Sequence, residues 1–381
     1  MTARPEPSAT PQAGLFVGLI SGTSMDGVDA ALVEIGTNRL TTFASATTHY
    51  PPALRARLLD AIAPAARLTL HDWATLHIEV GEQFAAAAIA LLDTAQIPAD
   101  AVTAVGSHGQ TLRHHPQPPH PYSVQIGDAA TIAARTGRPT VADFRSIDLA
   151  YGGQGAPLVP PFHAWCFQDP VTPRVLLNLG GIANVSLLAP GSTAALAGFD
   201  TGPGNCLMDD WTRHARGEPF DRDGDWAASG SVDPALLGDM LGDAYFGAAI
   251  PKSTGREYFN LEFIRRHLDG RPSLRSQDVQ ATLCALTVES IAIALDESEP
   301  AASLIVCGGG VHNRRLMTLL GERLPTRRVV SSEAFGVDPD YVEAAAFAWL
   351  AERRMSGLPV MLTTSREPRP LHLGAVYLPR P

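Results

Sequence analysis

One carboxylate, Asp200, lies in a short stretch where three glycines occur within seven residues, 198–204. The apolar run at 194–199 predicts a strand, and the run at 206–213 predicts the start of a helix. Open α/β sheets bind ligands at the carboxyl ends of strands, and glycines there let backbone N–H groups approach an anion. The pattern therefore predicts a base or a metal ligand. The alternative is an ordinary turn in which Asp200 caps the next helix.

A turn at 21–27 concentrates hydroxyls, glycines and one further carboxylate, Asp26. It lies between predicted strands at 14–20 and 28–35, so the unit is predicted to be a hairpin. N–H and O–H donors at such a tip can wrap phosphate oxygens, and Asp26 can hold a metal directly or through water. The alternative is a polar hairpin loop without a ligand.

Two further glycine-containing turns occur later in the chain. Gly180 and Gly181 separate two predicted strands about 160 residues after the first turn, and a triple glycine at 308–310 follows a predicted strand at 303–306. The spacing of the two strand–turn–strand units predicts a duplicated architecture whose tips hold the ends of a polyphosphate. The triple glycine predicts close approach of a flat or anionic group to the backbone.

Polar side chains follow two other predicted strands. His108 lies in the predicted polar loop 107–111, while Asp143 and Arg145 follow the predicted strand 140–142. Arg suits a carboxylate and Asp suits a hydroxyl, so a polar ligand is predicted here. The alternatives are a structural histidine and an internal Asp143–Arg145 salt bridge.

The elements that position these residues alternate between strands and helices. Predicted helices cover 52–62, 71–94, 127–137, 278–295 and 342–353. A length of 381 residues predicts two domains or two lobes, and 45% hydrophobic content supplies their cores. We place a disordered tail at 1–13, an N-terminal lobe at 14–150 and a C-terminal lobe at 151–381, whose last helix can pack back toward the first lobe. The glycine-rich segment 152–155 is the predicted junction.

Composition excludes several classes of protein. The net charge of −10, without a long basic run, argues against nucleic-acid binding. Four scattered cysteines show no metal-ligand spacing and fit a reducing cytoplasm. We expect no membrane span and no signal sequence, because no apolar run reaches the length of a span and the first residues lack an apolar core.

The two glycine hairpins, the Asp200 turn and the late triple glycine together resemble the superfamily of sugar kinases, actin and heat-shock ATPases. A closer resemblance, to the anhydro-N-acetylmuramic acid kinase family, is carried in family order by seven motifs. These are Gly-Thr-Ser-Met-Asp-Gly-Val-Asp (22–29), Ser-His-Gly-Gln-Thr (107–111), Ala-Asp-Phe-Arg (142–145), Gly-Gly-Gln-Gly-Ala-Pro-Leu-Val-Pro (152–160), Phe-Asp-Thr-Gly-Pro-Gly-Asn (199–205), Pro-Lys-Ser-Thr-Gly-Arg-Glu (251–257) and Cys-Gly-Gly-Gly (307–310).

The resemblance implies a two-lobed, actin-like α/β ATPase fold. Each lobe would be a mixed sheet flanked by helices, with the nucleotide in the cleft between them. Contacts to ATP are expected at Gly22, Thr23, Ser24, Met25, Asp26, Gly27, Val28, Asp29, Gly180, Gly181, Gly308, Gly309 and Gly310. Mg²⁺ is expected, with Asp26 holding it through water.

The resemblance also implies the reaction. The enzyme would open the 1,6-anhydro ring of anhydro-N-acetylmuramic acid with water and phosphorylate O6 from ATP, as a cytoplasmic homodimer in peptidoglycan recycling. Asp200 would be the general base, and His108, Asp143 and Arg145 would contact the sugar. Two alternatives stay open: a conventional sugar kinase of the same superfamily, and a chaperone-like nucleotide-dependent binding protein.

Overall fold

The computed structural model describes residues 14–22, 25–36, 39–63, 66–191, 195–250, 252–271, 273–296, 303–362 and 369–380. The chain divides into two compact units. The first comprises Met1–Cys166 and Gly336–Pro381, and the second comprises Phe167–Phe335. The predicted tail at 1–13 lies outside the described residues.

Strands and helices alternate along the described chain. The strands are β1 (Gly14–Ser21), β2 (Gly27–Ile35), β3 (Leu40–His49), β4 (Val102–His115), β5 (Tyr122–Ile126), β6 (Thr140–Ala142), β7 (Arg174–Leu179), β8 (Ile182–Leu188), β9 (Ala195–Pro203), β10 (Ser303–Cys307), β11 (Arg328–Ser331), β12 (Val360–Leu362), β13 (Arg369–Leu371) and β14 (Ala375–Tyr377). The helices are α1 (Pro52–Ile62), α2 (Leu70–Ala95), α3 (Ala129–Thr136), α4 (Ser146–Ala150), α5 (Pro160–Phe167), α6 (Cys206–Arg216), α7 (Asp225–Ala228), α8 (Pro234–Leu241), α9 (Leu261–Leu268), α10 (Ser276–Asp296), α11 (Arg314–Arg323) and α12 (Val342–Met355).

The first unit is built on a mixed sheet with the order β3-β2-β1-β4-β6-β14, and β5 pairs with β4. Strands β1, β2 and β3 form an antiparallel meander, and β4 then runs parallel to β1. Strand β1 is apolar and buried at six consecutive residues, the pattern of a central strand covered on both faces.

The second unit repeats this plan with the order β9-β8-β7-β10-β11. Strands β7, β8 and β9 form an antiparallel meander, after which β10 and β11 run parallel to β7. The shared order confirms the predicted duplication. Two mixed sheets, each flanked by helices, also confirm the predicted α/β class.

Helix α12 packs against the first sheet at two glycines. A Cβ at Gly18 of β1 would overlap the carbonyl oxygen of Ala344, and one at Gly106 of β4 would overlap that of Phe347. Because the glycines let the helix backbone rest directly on the strands, residues from Gly336 onward group with the first unit. The predicted lobe boundary at 150/151 therefore differs from the observed division, which also keeps residues 151–166 in the first unit.

Three strands differ from the sequence predictions. The predicted loop 107–111 is the middle of β4, because β1 pairs with β4 as far as Gln110 and β5 pairs with it from there to its end. Strand β9 continues past Phe199 to Pro203, held by pairing with β8. Strand β3, rich in threonine and alanine, carries too weak an apolar alternation to be predicted.

Two helices, α2 and residues 276–295 of α10, are long and apolar enough to cross a membrane by length and composition. The expectation that no apolar run reaches that length was therefore wrong. Half of the apolar window of α2 and 78% of that of α10 are buried within the protein. That burial is typical of core helices, so the two helices are weak evidence for a membrane.

Candidate active-site residues in the two units

Asp200 lies at an irregularity of β9 in the second unit. It pairs with Asn184 of β8, while Gly202 pairs with Ala183, so the register shifts by one residue at Thr201. Gly202 adopts φ +153°, and a Cβ there would lie 2.9 Å from the ring of Phe246. Bulges of this kind commonly re-aim side chains beside functional sites. The predicted turn is thus a bulged strand.

The Asp200 carboxylate is half-buried and is fixed by the segment that follows Pro251. The backbone N–H of Thr254 donates to its Oδ2 at 2.9 Å, and the N–H of Asp200 donates to the carbonyl of Lys252 at 2.9 Å. Burial raises the pKa of Asp200, against the hydrogen bond from Thr254, which lowers it. A positioned carboxylate with a raised pKa suits a general base.

The alternative role of Asp200 as a helix cap was wrong. The residue that precedes α6 at the capping position is Asn205, and its side chain makes no capping hydrogen bond. The Asn205 amide instead donates to the carbonyl oxygens of Leu179 and Gly180, at 2.9 and 3.1 Å. Asp200 therefore does not act as the N-cap of α6.

The glycine turns of the second unit lie against one another. The Gly181 carbonyl accepts hydrogen bonds from the N–H groups of Gly204 and Cys206, both at 3.0 Å. A Cβ at Gly308 would overlap the Asn178 side chain, and one at Gly310 would lie 2.6 Å from the Cβ of Leu179. The structure thus brings together the 180–181 turn, the triple glycine and the start of α6.

A cavity of about 450 Å³ opens beside the triple glycine. Its lining is Asn205, Met208, Asp209, Phe220, Asp221, Arg222, Asp223, Gly309, His312 and Asn313. Desolvation raises the pKa of Asp209 to about 7, although the charge of Arg256 lowers it. A partly apolar cavity with a few polar groups is typical of small-molecule sites.

Residues 220–223 of an acidic segment form part of this cavity wall. Asp221 is buried, and its carboxylate accepts hydrogen bonds from the N–H groups of Trp226 and Ala227, both at 2.9 Å. Alternating acidic residues gave no signal that one carboxylate closes a local turn.

In the first unit, the predicted phosphate hairpin is the β1–β2 connection. Thr23 and Ser24 lie outside the described residues. Met25 adopts φ +52° with its side chain buried, whereas Asp26 is exposed. Of these, Asp26 is the side chain placed to meet a ligand or a hydrated metal.

The next residues of this hairpin, Gly27, Val28 and Asp29, are packed or hydrogen-bonded within the first unit. A Cβ at Gly27 would overlap the carbonyl oxygen of Thr48, so β2 and β3 pack closely there. Val28 is fully buried in the core, and the Asp29 carboxylate accepts a hydrogen bond from Thr47 at 2.6 Å. Val28 can therefore offer a ligand only its backbone groups.

His108 and Arg145 contact each other. The Nε2 atom of His108 accepts from Nε and Nη2 of Arg145, at 3.1 and 2.8 Å, and its Nδ1–H donates to the Gly109 carbonyl at 3.0 Å. Burial, with the charge of Arg145, lowers the pKa of His108 to about 3. The imidazole is therefore neutral, with its proton on Nδ1, and it orients the guanidinium.

Asp143 does not pair with Arg145. It adopts φ +57°, and its carboxylate accepts from the Ser146 hydroxyl at 2.5 Å. Arg145 directs Nη1 to the Gly155 carbonyl at 2.6 Å. The predicted alternative of an internal Asp143–Arg145 salt bridge was therefore wrong.

Sequence reasoning missed Glu343 in the first turn of α12. The carboxyl of this exposed residue lies within electrostatic reach of Asp29 and Arg145. Arg145 therefore has His108 and Glu343 in its surroundings. The sequence does show a carboxylate among the apolar residues of the first turns of α12. It did not show that α12 packs against this sheet.

The described residues contain no group of three or more His, Cys, Asp or Glu side chains arranged to hold a metal ion. Mg²⁺ in nucleotide sites keeps several waters and takes one or two carboxylates plus phosphate oxygens. The exposed Asp26 fits that role, and no protein cage for the metal is needed.

Three solved structures are similar to this chain over most of their length. Component A of (R)-2-hydroxyglutaryl-CoA dehydratase from Acidaminococcus fermentans is 10% identical, over 91% of this chain and 100% of that chain, with a TM-score of 0.47. The activator of 2-hydroxyisocaproyl-CoA dehydratase from Clostridium difficile, with bound ADPNP, is 11% identical over 90% and 96%, with 0.43. A ROK family glucokinase from Streptomyces griseus, in complex with glucose and AMPPNP, is 13% identical over 88% and 99%, with 0.38.

These similarities say nothing about activity. The family is established by the family model described as anhydro-N-acetylmuramic acid kinase, which matches residues 14–379, nearly the whole chain. That range contains every motif named above and both glycine-hairpin units. The chain belongs to the anhydro-N-acetylmuramic acid kinase family.

Proposed function

We propose that this kinase uses Asp200 to couple hydrolysis of a 1,6-anhydro bridge to phosphorylation of the oxygen that hydrolysis releases. The substrate would be 1,6-anhydro-N-acetylmuramic acid, the phosphoryl donor ATP, and the products N-acetylmuramate 6-phosphate and ADP. The observation that carries the proposal is the Asp200 carboxylate, fixed by the Thr254 N–H and raised in pKa by burial. The family match supplies the substrate class.

The proposed reaction begins with the attack of water on the sugar. Asp200 takes a proton from a water molecule as the water oxygen bonds to the anomeric carbon. The bond between that carbon and O6 breaks, and its electron pair stays on O6. O6 then bonds to the γ-phosphorus of ATP as ADP leaves, and Asp200 later releases its proton to solvent. Cleavage thus generates the nucleophile that phosphoryl transfer needs.

The geometry of Asp200 favours this role for two reasons. The backbone hydrogen bond to Oδ2 holds the carboxyl group in one orientation, which lowers the entropic cost of reaction. Burial raises the pKa, so the carboxylate is a stronger base than an exposed aspartate.

For the sugar, we propose that Arg145 binds the lactyl carboxylate. A guanidinium has five N–H donors, and the contacts to His108 and Gly155 use three of them. The remaining two match the two oxygens of a carboxylate. His108 would then position Arg145, and Asp143 would contact a sugar hydroxyl.

For the nucleotide, we propose that the β1–β2 hairpin, with Gly22, Gly27 and Asp29, and the glycine turns of the second unit bind the phosphates and the nucleoside. The hydroxyl groups of Thr23 and Ser24 in this hairpin would donate hydrogen bonds to the phosphate oxygens. Mg²⁺ would neutralise charge on the phosphates during transfer, with Asp26 holding it through water.

We also propose a cytoplasmic homodimer that serves peptidoglycan recycling. None of the four cysteines forms a disulfide within the described residues, as expected of a reducing compartment. The sugar itself derives from cell-wall breakdown, which supplies the metabolic setting. The family match favours this reaction over a nucleotide-dependent binding protein.

Turnover in ¹⁸O-labelled water tests the proposal. The expected product carries one labelled oxygen on the sugar and none in the phosphate, since water attacks carbon and O6 comes from the substrate. Unlabelled N-acetylmuramate 6-phosphate kept in the same water controls for exchange at the anomeric hydroxyl. Label in the phosphate, or faster turnover of ring-opened N-acetylmuramate, would overturn the proposal; the second result would indicate a conventional sugar kinase.

A further inference from the structure

The segment 252–257, here called the strap, connects Asp200 to the 180–181 turn. At one end it hydrogen-bonds to Asp200 through the Lys252 carbonyl and the Thr254 N–H. At the other end, Arg256 lies over Gly181. The strap therefore fixes the position of Arg256 relative to the candidate base.

The two cations of the strap differ in their surroundings. The Lys252 ammonium donates to the carbonyl oxygens of Tyr245 and Phe246, both at 3.0 Å, and lies 4.7 Å from the centre of the Tyr245 ring. Through these contacts Lys252 anchors the strap to residues 245 and 246. Lys252 is therefore a poor candidate for a ligand contact.

Arg256 is exposed, and its guanidinium rests on the Gly181 backbone. A Cβ at Gly181 would lie 2.9 Å from its Nε, 3.2 Å from its Nη2 and 3.4 Å from its Cζ. Within the described residues, the Arg256 guanidinium forms no hydrogen bond or ion pair. Its five N–H donors are thus available to a ligand.

The charge of Arg256 reaches the start of α6. It lowers the pKa of Asp209 and of the Cys206 thiol, although no ion pair with Asp209 forms. Gly181 also ties this turn to the start of α6 through its carbonyl. The guanidinium therefore lies against the glycine turn, and its charge acts on the start of α6.

We propose that Arg256 binds the outer phosphates of the nucleotide across the Gly180–Gly181 turn. This inference rests on the proposed function. A planar guanidinium gives bidentate hydrogen bonds to phosphate oxygens. The glycine beneath it lets the guanidinium lie directly against the turn. The carboxylate of the sugar is assigned to Arg145, whose plane is fixed by His108. Arg256 would stabilise charge that develops on the transferred phosphoryl group.

Calorimetric titration of Mg-AMPPNP, Mg-ADP and AMP, without sugar, tests this proposal. In Arg256→Gln, the affinity for AMPPNP should fall roughly tenfold to a hundredfold, the usual cost of losing charge-assisted hydrogen bonds. The affinity for AMP should change little. Arg256→Lys should be intermediate, because lysine binds phosphate as a point charge. Arg265→Gln, at an exposed position of α9 in the same unit, is the matched control and should leave all three affinities unchanged.

A second variant keeps the test independent of folding. In Gly181→Ala, the added methyl would displace the guanidinium, the far end of a flexible side chain, and leave the backbone in place. AMPPNP affinity should fall in Gly181→Ala but fall no further when the same change is made in Arg256→Gln. Equal effects in both backgrounds would overturn the proposal.

The outcomes separate the two proposals. If the wild type binds AMPPNP and Arg256→Gln binds it equally well, or loses AMP affinity to the same extent, the role of Arg256 is wrong and the kinase reaction stands. If the wild type binds none of the three nucleotides, the proposed function fails and takes this inference with it.

Discussion

At the scale of single residues, the chemistry depends on side chains that the surrounding backbone and a few polar partners hold in one state. Asp200 is oriented by a main-chain N–H, and His108 is kept neutral by burial beside Arg145. The candidate residues of both units are thus preorganised before substrate binds.

The neutral state of His108 predicts a pH dependence of stability. Its pKa is about 3 in the folded chain and near the ordinary 6.5 in the unfolded chain. Between these values the unfolded chain binds a proton that the folded chain does not, so stability is lost as pH falls below about 6.5. The loss should approach about 1.4 kcal/mol per pH unit.

Urea unfolding between pH 7 and pH 4 measures this effect. The variant His108→Gln, which keeps an acceptor for Arg145, should show a shallower loss of unfolding free energy than the wild type. The exposed His71→Gln is the control and should follow the wild type. Parallel curves for His108→Gln and wild type would contradict a buried, neutral His108.

The sequence predicted which residue types carry the chemistry but not which of them meet. Asp200, His108 and Arg145 follow from motifs, and their catalytic and binding roles stay predictions. The His108–Arg145 contact joins residues 37 apart, and it depends on the pairing of β4 with β6. The position of Arg256 over Gly181 likewise depends on how the strap folds, which no local pattern encodes.

At the scale of elements, apolar runs predicted most strands and long helices. The predicted helix at 52–62 is α1, and the predicted helix at 342–353 is α12 with two more residues. Polar strands were harder to predict, because pairing from both sides keeps the middle of β4 extended in spite of its polar residues. Local sequence carries no signal for such tertiary pairing.

The contact between α12 and the first sheet predicts the effect of a single methyl group. In Gly18→Ala, the new Cβ would overlap the Ala344 carbonyl and the backbone of Ala348. Helix and strand must then separate, which should lower the free energy of unfolding by about 1–3 kcal/mol.

A matched control is available in the second unit. Gly238 lies on the exposed face of α8, and a Cβ there would meet no atom within 4 Å. Gly238→Ala should therefore raise stability by about 0.5–1 kcal/mol through helix propensity. Chemical denaturation of both variants measures the contrast. Equal stability of Gly18→Ala and wild type would show that α12 does not rest on β1.

At the scale of the whole molecule, two units share one strand order, β3-β2-β1-β4-β6 in the first and β9-β8-β7-β10-β11 in the second. The spacing of the two glycine hairpins predicted this repetition. Residues 336–381 also belong to the first unit, and the sequence predicted this only for the last helix. The grouping depends on glycines of β1 and β4, and a glycine in a strand does not indicate which helix will pack against it.

The proposed homodimer predicts a molecular mass twice the 40.4 kDa of the chain. Light scattering coupled to gel filtration, at micromolar concentration and without detergent, should give that doubled mass. The result should persist at high salt if the interface is largely apolar. A mass of one chain at the same concentration would contradict the dimer and leave the catalytic proposal untouched.

The central claim, that Asp200 activates water for a coupled ring opening and phosphorylation, is tested most directly by ADP release. Wild type, Asp200→Asn and the exposed control Asp269→Asn would be assayed with Mg-ATP and anhydro-N-acetylmuramic acid, N-acetylmuramic acid or no sugar. We expect release with the anhydro sugar alone, lost by at least about a hundredfold in Asp200→Asn and unchanged in Asp269→Asn. Undiminished release by Asp200→Asn, or release independent of sugar, would contradict it.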